Sequence, residues 1–181
     1  MLIRAAEADR DAAACARIYA PFVADTVVSL EEEPPDESEM ARRITRISGA
    51  YPWLAAEAGG DTAGFAYASR HRERASYRWA ADVSVYVDPR HHRRGIGSAL
   101  LTRLLALLHR QGLWMACAGI TLPNVASVAL HESLGFTPVG IYRRIGYKHG
   151  SWQDVGIWQR SLASGADLPP SESRPPVRLE A

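Results

Sequence analysis

The residues from Val83 to Leu101, VSVYVDPRHHRRGIGSALL, join an alternating β-branched and aromatic run to a basic, histidine-rich turn and two glycines that open an apolar helix. This order predicts a strand feeding a helix start built to hold an anion. Gly95 and Gly97 carry no side chain to keep a ligand off the backbone. The first N–H groups of a helix lack partners within it, and the macrodipole places roughly half a positive charge there. Arg90, Arg93 and Arg94 add full charges, so a pyrophosphate suits the turn. A dinucleotide fingerprint needs glycine at position 100, where Leu100 stands, and the Gly-Lys-Ser/Thr of a P-loop is missing. Further on, Asn124 suits a helix N-cap and Gly135 a helix stop, with Asn124, Ser127 and His131 on adjoining turns of one face.

The elements that must position these groups follow from periodicity and breakers. Leu2 to Ala5 reads as a strand, and Ala8 to about Val23 as a helix with Ala13, Ile18 and Phe22 at helical spacing. Asp36 caps a second helix carrying Met40, Ile44 and Ile47, which Gly49 ends. Strands are predicted at Tyr51 to Ala58 and Thr62 to Ser69 around a Gly59-Gly60-Asp61 turn, then at Arg78 to Val87 after a charged loop, Arg70 to Ser76. A third helix buries Ile96, Leu100, Leu104, Leu107 and Leu108, and Gly112 precedes a strand from Leu113 to Ile120. After the Asn124 helix, Phe136 to Lys148 and Trp152 to Arg160 pair as a hairpin around His149-Gly150-Ser151. The expected order is β, α, α, β, β, β, α, β, α, β, β. Residues 1–162 are expected to form one domain, and 163–181, rich in Pro, Ser and charge, a loose tail.

Composition narrows the classes of function. With 181 residues and 47% hydrophobic content the chain can bury one sizeable core. A net charge of +1 offers no global attraction to nucleic acid or to anionic lipid, so neither is an expected partner. Cys15 and Cys117 have no metal or disulfide spacing, and no metal site is expected. The acidic residues of MLIRAAEADRD and its lack of a long apolar stretch argue against a signal peptide or a membrane span, so a soluble, cytoplasmic protein is expected.

The segment His92-Arg93-Arg94-Gly95-Ile96-Gly97 resembles the acetyl-CoA signature Gln/Arg-x-x-Gly-x-Gly/Ala of the GCN5-related N-acetyltransferases (GNAT), with His92 in place of the usual first residue. Asn124 to Phe136 resembles the second helix of the same superfamily. Within it, Tyr51 to Glu57, Ala63 to Ala68, Tyr77, Trp79 and Gly146 to Gln159 resemble the phosphinothricin and methionine sulfoximine N-acetyltransferases, a likeness running from Ile3 to Gln159. The resemblance implies an α/β (α+β) acetyltransferase fold: a mixed, mostly antiparallel sheet of about seven strands flanked by about four helices.

It also implies acetyl-CoA as co-substrate, held by Val85, Tyr86 and Val87, by Arg93, Arg94, Gly95, Ile96, Gly97 and Ser98, and by Asn124. A strand splayed from its neighbour leaves main-chain groups free, so pantetheine amides can pair with Val85 and Val87. Asp82 stands where relatives usually have Glu and is the expected base, acting through a bridging water. His131 stands where the superfamily often has a Tyr acid, and imidazole, with a reference pKa of about 6.5, suits proton exchange near neutrality. Arg72 and Arg74 match basic, substrate-lining positions and suit a carboxylate, with Tyr77 and Trp79 as pocket walls. The implied reaction is direct transfer of acetyl to the α-amino group of a small amino-acid analogue, in a ternary complex and a homodimeric enzyme. The alternatives are a protein or ribosomal-protein N-terminal acetyltransferase and a non-catalytic acyl-CoA sensor.

Overall fold

The computed structural model describes residues 1–163 of the chain, so all but the first residue of the expected tail lies outside the described residues. Seven strands form one sheet: β1 (Leu2–Ala5), β2 (Trp53–Ala58), β3 (Asp61–Arg70), β4 (Ala80–Val87), β5 (Met115–Leu122), β6 (Thr137–Lys148) and β7 (Ser151–Ser161). Four helices accompany them: α1 (Ala8–Ala24), α2 (Glu37–Ser48), α3 (Ile96–Gln111) and α4 (Val125–Ser133). The element order is the expected one. Strand order is β1-β2-β3-β4-β5-β7-β6, with every neighbouring pair antiparallel except β4 and β5.

Period-two alternation sends neighbouring residues to opposite faces, and each face has its own core. On one side Leu100, Leu101, Leu104, Leu107 and Leu108 of α3 pack on Leu54, Ala66, Ala68, Ala81 and Ala116. Alanines at those strand positions let the leucine-rich helix sit close to the sheet. On the other side α1 and α2 cover Trp53 and Phe65, with Cys15, Ile18, Met40 and Ile44 buried between them. The Asp36 carboxylate accepts the Glu39 N–H at 2.8 Å and so starts α2 where its side chain predicts.

The differences from expectation lie at element ends. β4 begins at Ala80 rather than Arg78, because a short 3₁₀ turn over Ala75–Tyr77 occupies the approach. β5 begins at Met115 rather than Leu113, whose side chain is buried against the α3 core. Among the described residues no helix is long and apolar enough to cross a membrane.

Candidate active site

β4 and β5 pair only through Ala80, Ala81 and Asp82 against Met115, Ala116 and Cys117. Beyond Asp82, β4 continues to Val87 bonded to β3 alone, while β5 continues to Leu122 bonded to β7 alone. The two parallel strands therefore open into a fork, and among the described residues each presents an edge without a strand partner. The fork runs five residue steps from Asp82 to Val87, about 17 Å of extended chain. Val85 and Val87 pack toward α3, whereas the Tyr86 ring turns to the other face among Tyr19, Phe22 and Phe65. Of Tyr86, the main chain is what faces the fork. His92 bonds the Val87 carbonyl through Nε2 at 2.9 Å, tying the basic turn to the strand end.

At the open end α3 starts on Gly95, whose φ of +76° is left-handed and whose lack of a side chain leaves the first helical N–H groups uncapped. Arg93 shares the left-handed conformation, with φ +58°. Arg93 and Arg94 are exposed and form no ion pair among the described residues. Arg90 is different. It bonds Asp88 at 2.7 Å, and Arg17 reaches the same carboxylate at 2.8 Å, so the charge expected of Arg90 is already matched. Arg90 first and Arg17 with it, against the opposing effect of burial, hold the Asp88 carboxyl well below its ordinary range. Gly97 serves packing: a Cβ there would lie 3.2 Å from Leu130 and 3.6 Å from Val87, so its absence lets α3 meet α4 and β4. Ile96 is core, and Ser98 lies half-buried in the first turn of α3.

α4 lines the fork from the β5 side. Asn124 caps it by accepting the Ser127 N–H at 3.1 Å, which leaves the amide NH₂ as a donor. Asn124, Ser127 and His131 all border the fork. His131 is buried, its Nδ1 lies 2.8 Å from the Ser127 carbonyl, and its Nε2 has no hydrogen-bond partner among the described residues. A carbonyl only accepts, so Nδ1 carries the hydrogen and Nε2 a lone pair. Burial pushes the His131 pKa below the ordinary histidine value, against the Ser127 carbonyl. The ring is therefore neutral and turns an acceptor, rather than a donor, to any group beside Nε2.

At the closed end stands Asp82, on the sheet face opposite Val83 and Val85. Its carboxylate lies 2.7 Å from His71 Nδ1, and the Asp82 oxygen, the His71 nitrogen and Cys117 Sγ fall within 4.8 Å of one another. Burial pushes the Asp82 carboxyl above the usual range, opposed by His71 and Arg72. Burial first, and Asp82 second, push the Cys117 thiol up to about 11. Arg72 borders this cavity with His71 and Asp82 and also lines a neighbouring depression, where Arg74 stands with Gly49, Tyr51 and Gln111. The Tyr77 ring stands edge-on to His71 at 6.0 Å between centroids. His71 is the group that sequence reasoning missed: it sits in a run of charged residues that reads as a solvated loop. The signal available was the hairpin register, in which Ser69 opposes Asp82 and brings the next residues of the loop beside the carboxylate.

The segment between α1 and α2 is bound down rather than loose. Glu31 accepts bidentately from Arg43 at 2.8 and 2.9 Å and from the Tyr19 hydroxyl at 2.8 Å. Buried Lys148 donates to the carbonyls of Val23 and Ser29 at 2.5 and 2.7 Å, fastening the segment to the β6–β7 hairpin. Val28 thereby reaches the rim of the fork.

This geometry has close counterparts. The phosphinothricin N-acetyltransferase of Streptomyces viridochromogenes is 42% identical over 169 residues, 93% of this chain and 91% of that protein. The L-methionine sulfoximine/L-methionine sulfone acetyltransferase of Salmonella typhimurium is 35% identical over 163 residues, 90% of this chain and 95% of that protein. The crystal structure of a GNAT superfamily phosphinothricin acetyltransferase from Sinorhizobium meliloti, in complex with AcCoA, superposes with a TM-score of 0.89 at 38% identity, covering 94% of this chain and 93% of that one. The acetyltransferase (GNAT) domain pattern matches residues 3–157. A forked seven-stranded sheet with an uncapped helix start at its mouth, matched over nearly its full length, places this chain in the GNAT acetyltransferase family, whose enzymes use acetyl-CoA.

Proposed function

We propose that the enzyme transfers acetyl from acetyl-CoA to the α-amino group of a small amino-acid analogue of the phosphinothricin, methionine sulfoximine or methionine sulfone type, directly and within a ternary complex. The observation that carries this reading is the fork itself, with an anion-holding turn at its mouth and a carboxylate at its root. Main-chain donors at Gly95 to Ser98, with Arg93 and Arg94, suit the diphosphate. The unpaired edge from Val83 to Val87 suits the pantetheine amides, and Asn124, which lines the fork from the other side, has its amide NH₂ left to donate. Acetyl-CoA supplies an acyl group on a thiol leaving group.

Asp82 is the negative charge that draws the acceptor's ammonium to the root of the fork, and its carboxylate belongs to the proton path that deprotonates that ammonium. Arg72, the cation bordering the Asp82 cavity, matches the acceptor's carboxylate; Arg74, in the neighbouring depression, adds positive potential to the approach. Tyr77 forms a wall beside His71. His131, neutral with Nε2 as acceptor, takes part by receiving a proton before passing it to the departing sulfur. A covalent acetyl-enzyme has no activated thiol to form on, because burial pushes the Cys15 thiol up to about 12 and the Cys117 thiol to about 11. Cys15→Ser/Cys117→Ser is expected to keep turnover within about threefold of the parent, since neither thiol is asked to supply any of the rate enhancement.

A panel of amino-acid analogues and N-terminal peptides, read by release of CoA thiol and by mass of the acylated product, tests the reading. Acetylation of the analogues alone is the expected result. Acetylation of peptides alone would make it an N-terminal acetyltransferase, and acetyl-CoA binding without transfer would make it a sensor. The segment held by Glu31 and Lys148 supports the small acceptor, because it fixes the chain beside the fork where a peptide needs an open groove. A second copy of the chain is part of the proposal: β6 exposes Val139, Ile141, Tyr142, Ile145 and Tyr147, a surface suited to self-association. Sedimentation velocity is expected to show a dimer.

A further inference from the structure

We infer that His71, held by Asp82, is the catalytic base that takes the acceptor's ammonium proton, and that Asp82 acts through it as a positioning residue. The inference rests on the acetyltransferase reading and names the group that performs its proton transfer. His71 Nδ1 lies 2.7 Å from the Asp82 carboxylate. An ionised carboxylate only accepts, so Nδ1 bears the hydrogen and the lone pair is left on Nε2. No hydrogen bond reaches Nε2 among the described residues. The ring borders the cavity at the root of the fork together with Asp82, Cys117 and Gly119. The aspartate side chain is short and already engaged, whereas the imidazole extends the dyad beyond it by the width of a ring.

The chemistry favours this division. A reference imidazole is a stronger base than a reference aspartate by about 2.6 pKa units, and a general base works best when its pKa is close to the working pH. Groups facing the ring come from three elements: Asp82 from β4, Cys117 from β5, and Arg72 and Tyr77 from the β3–β4 connection. Of these, Asp82 is in direct contact and fixes the orientation of the ring, with Arg72 beside the same cavity. In the reaction, Nε2 takes one proton from the ammonium, and the neutral amine attacks the thioester carbonyl carbon. The C–N bond forms, the C–S bond breaks, and the electron pair leaves with sulfur as thiolate. The nitrogen gives up a second proton and keeps one as the amide N–H. One proton ends on CoA thiol and the other passes from His71 to water.

The test is His71→Asn in the full-length enzyme, since the asparagine amide can still donate to Asp82 while offering no base. Turnover is expected to fall about 10²–10³-fold, the ordinary range for loss of a general base, with KM for acetyl-CoA unchanged. Added imidazole should restore part of the rate, and an acceptor of lower amine pKa should show a smaller defect. A purely structural role for His71 would produce neither response. Retention of turnover within about threefold, with the same acid limb of the rate profile, would overturn the inference and return the proton transfer to Asp82. If His71→Asn does not fold, His71→Gln with the same readouts decides. Absence of thiol release by the unmodified enzyme with every amine would instead defeat the acetyltransferase reading itself.

Discussion

Asp82→Asn is expected to lower turnover by about 10²–10⁴-fold while leaving acetyl-CoA affinity within about twofold, because it removes a charge at the root of the fork without changing shape at its mouth. The substitution keeps the volume of the side chain and one acceptor oxygen. What it loses is the anion that fixes His71 Nδ1–H and attracts an ammonium. The turn at Arg93 to Ser98, where we propose that the diphosphate binds, is five strand residues and a turn away, so binding of acetyl-CoA by calorimetry is the built-in control. The pH dependence has a definite sign. Burial raises the Asp82 carboxyl above its usual range, so on acidification it takes up a proton at higher pH than an ordinary aspartate, and activity falls on that side. In Asp82→Asn this contribution to the acid limb disappears. A variant retaining more than about a tenth of the parent turnover would show that the carboxylate is not part of the proton path.

The largest effect on stability is expected from Arg4→Met, at about 3–5 kcal/mol of lost folding free energy. Arg4 of β1 donates to both oxygens of Asp11 at 2.7 Å and to Glu57 of β2 at 2.6 Å. The Asp11 side chain is 0% exposed, and its other partner is the Glu7 N–H at 2.8 Å. Bonding to Asp11 holds the Arg4 guanidinium above its already high ordinary pKa, against burial. Removing the arginine strands a buried carboxylate, whereas replacing both members removes charge and countercharge together. Arg4→Met/Asp11→Leu should therefore recover much of the loss. At about 2–4 °C per kcal/mol for a chain of this size, the single variant should unfold about 6–20 °C lower in a thermal scan. A single variant as stable as the parent, or a double variant worse than the single, would show that the pair contributes nothing net.

Much of this architecture could be read from local signals, because local physics sets it. The α3 stripe of Ile96, Leu100, Leu104 and Leu108 and the Asp36 cap of α2 depend only on near neighbours, and both stand where the spacing puts them. The fork does not depend on near neighbours. Val83 to Val87 has the composition of an ordinary buried strand, and nothing in those residues says that one of its two edges is left open. The Tyr86 side chain and Gly97 show the same limit. Each stands in a stretch whose residue types suit a ligand, yet their partners are Tyr19 and Phe65, and Leu130, supplied from elsewhere in the chain. Arg90 is matched locally instead, by Asp88 two residues before it. His71 is the converse case: a residue in a nondescript charged loop acquires its role from a carboxylate on the next strand.

Among the described residues, the three residue pairs that close the root of the fork, with the Trp79 carbonyl accepting from the Trp114 and Met115 N–H groups just before them, form the strand-to-strand seam between two slabs, β1–β4 on one side and β5–β7 on the other. A guest that bonds to both open edges acts as an eighth strand of another chemistry and stitches the slabs together. Cohesion across that seam then scales with occupancy, by RT ln(1 + [L]/Kd), so the empty enzyme is the one whose halves open most easily.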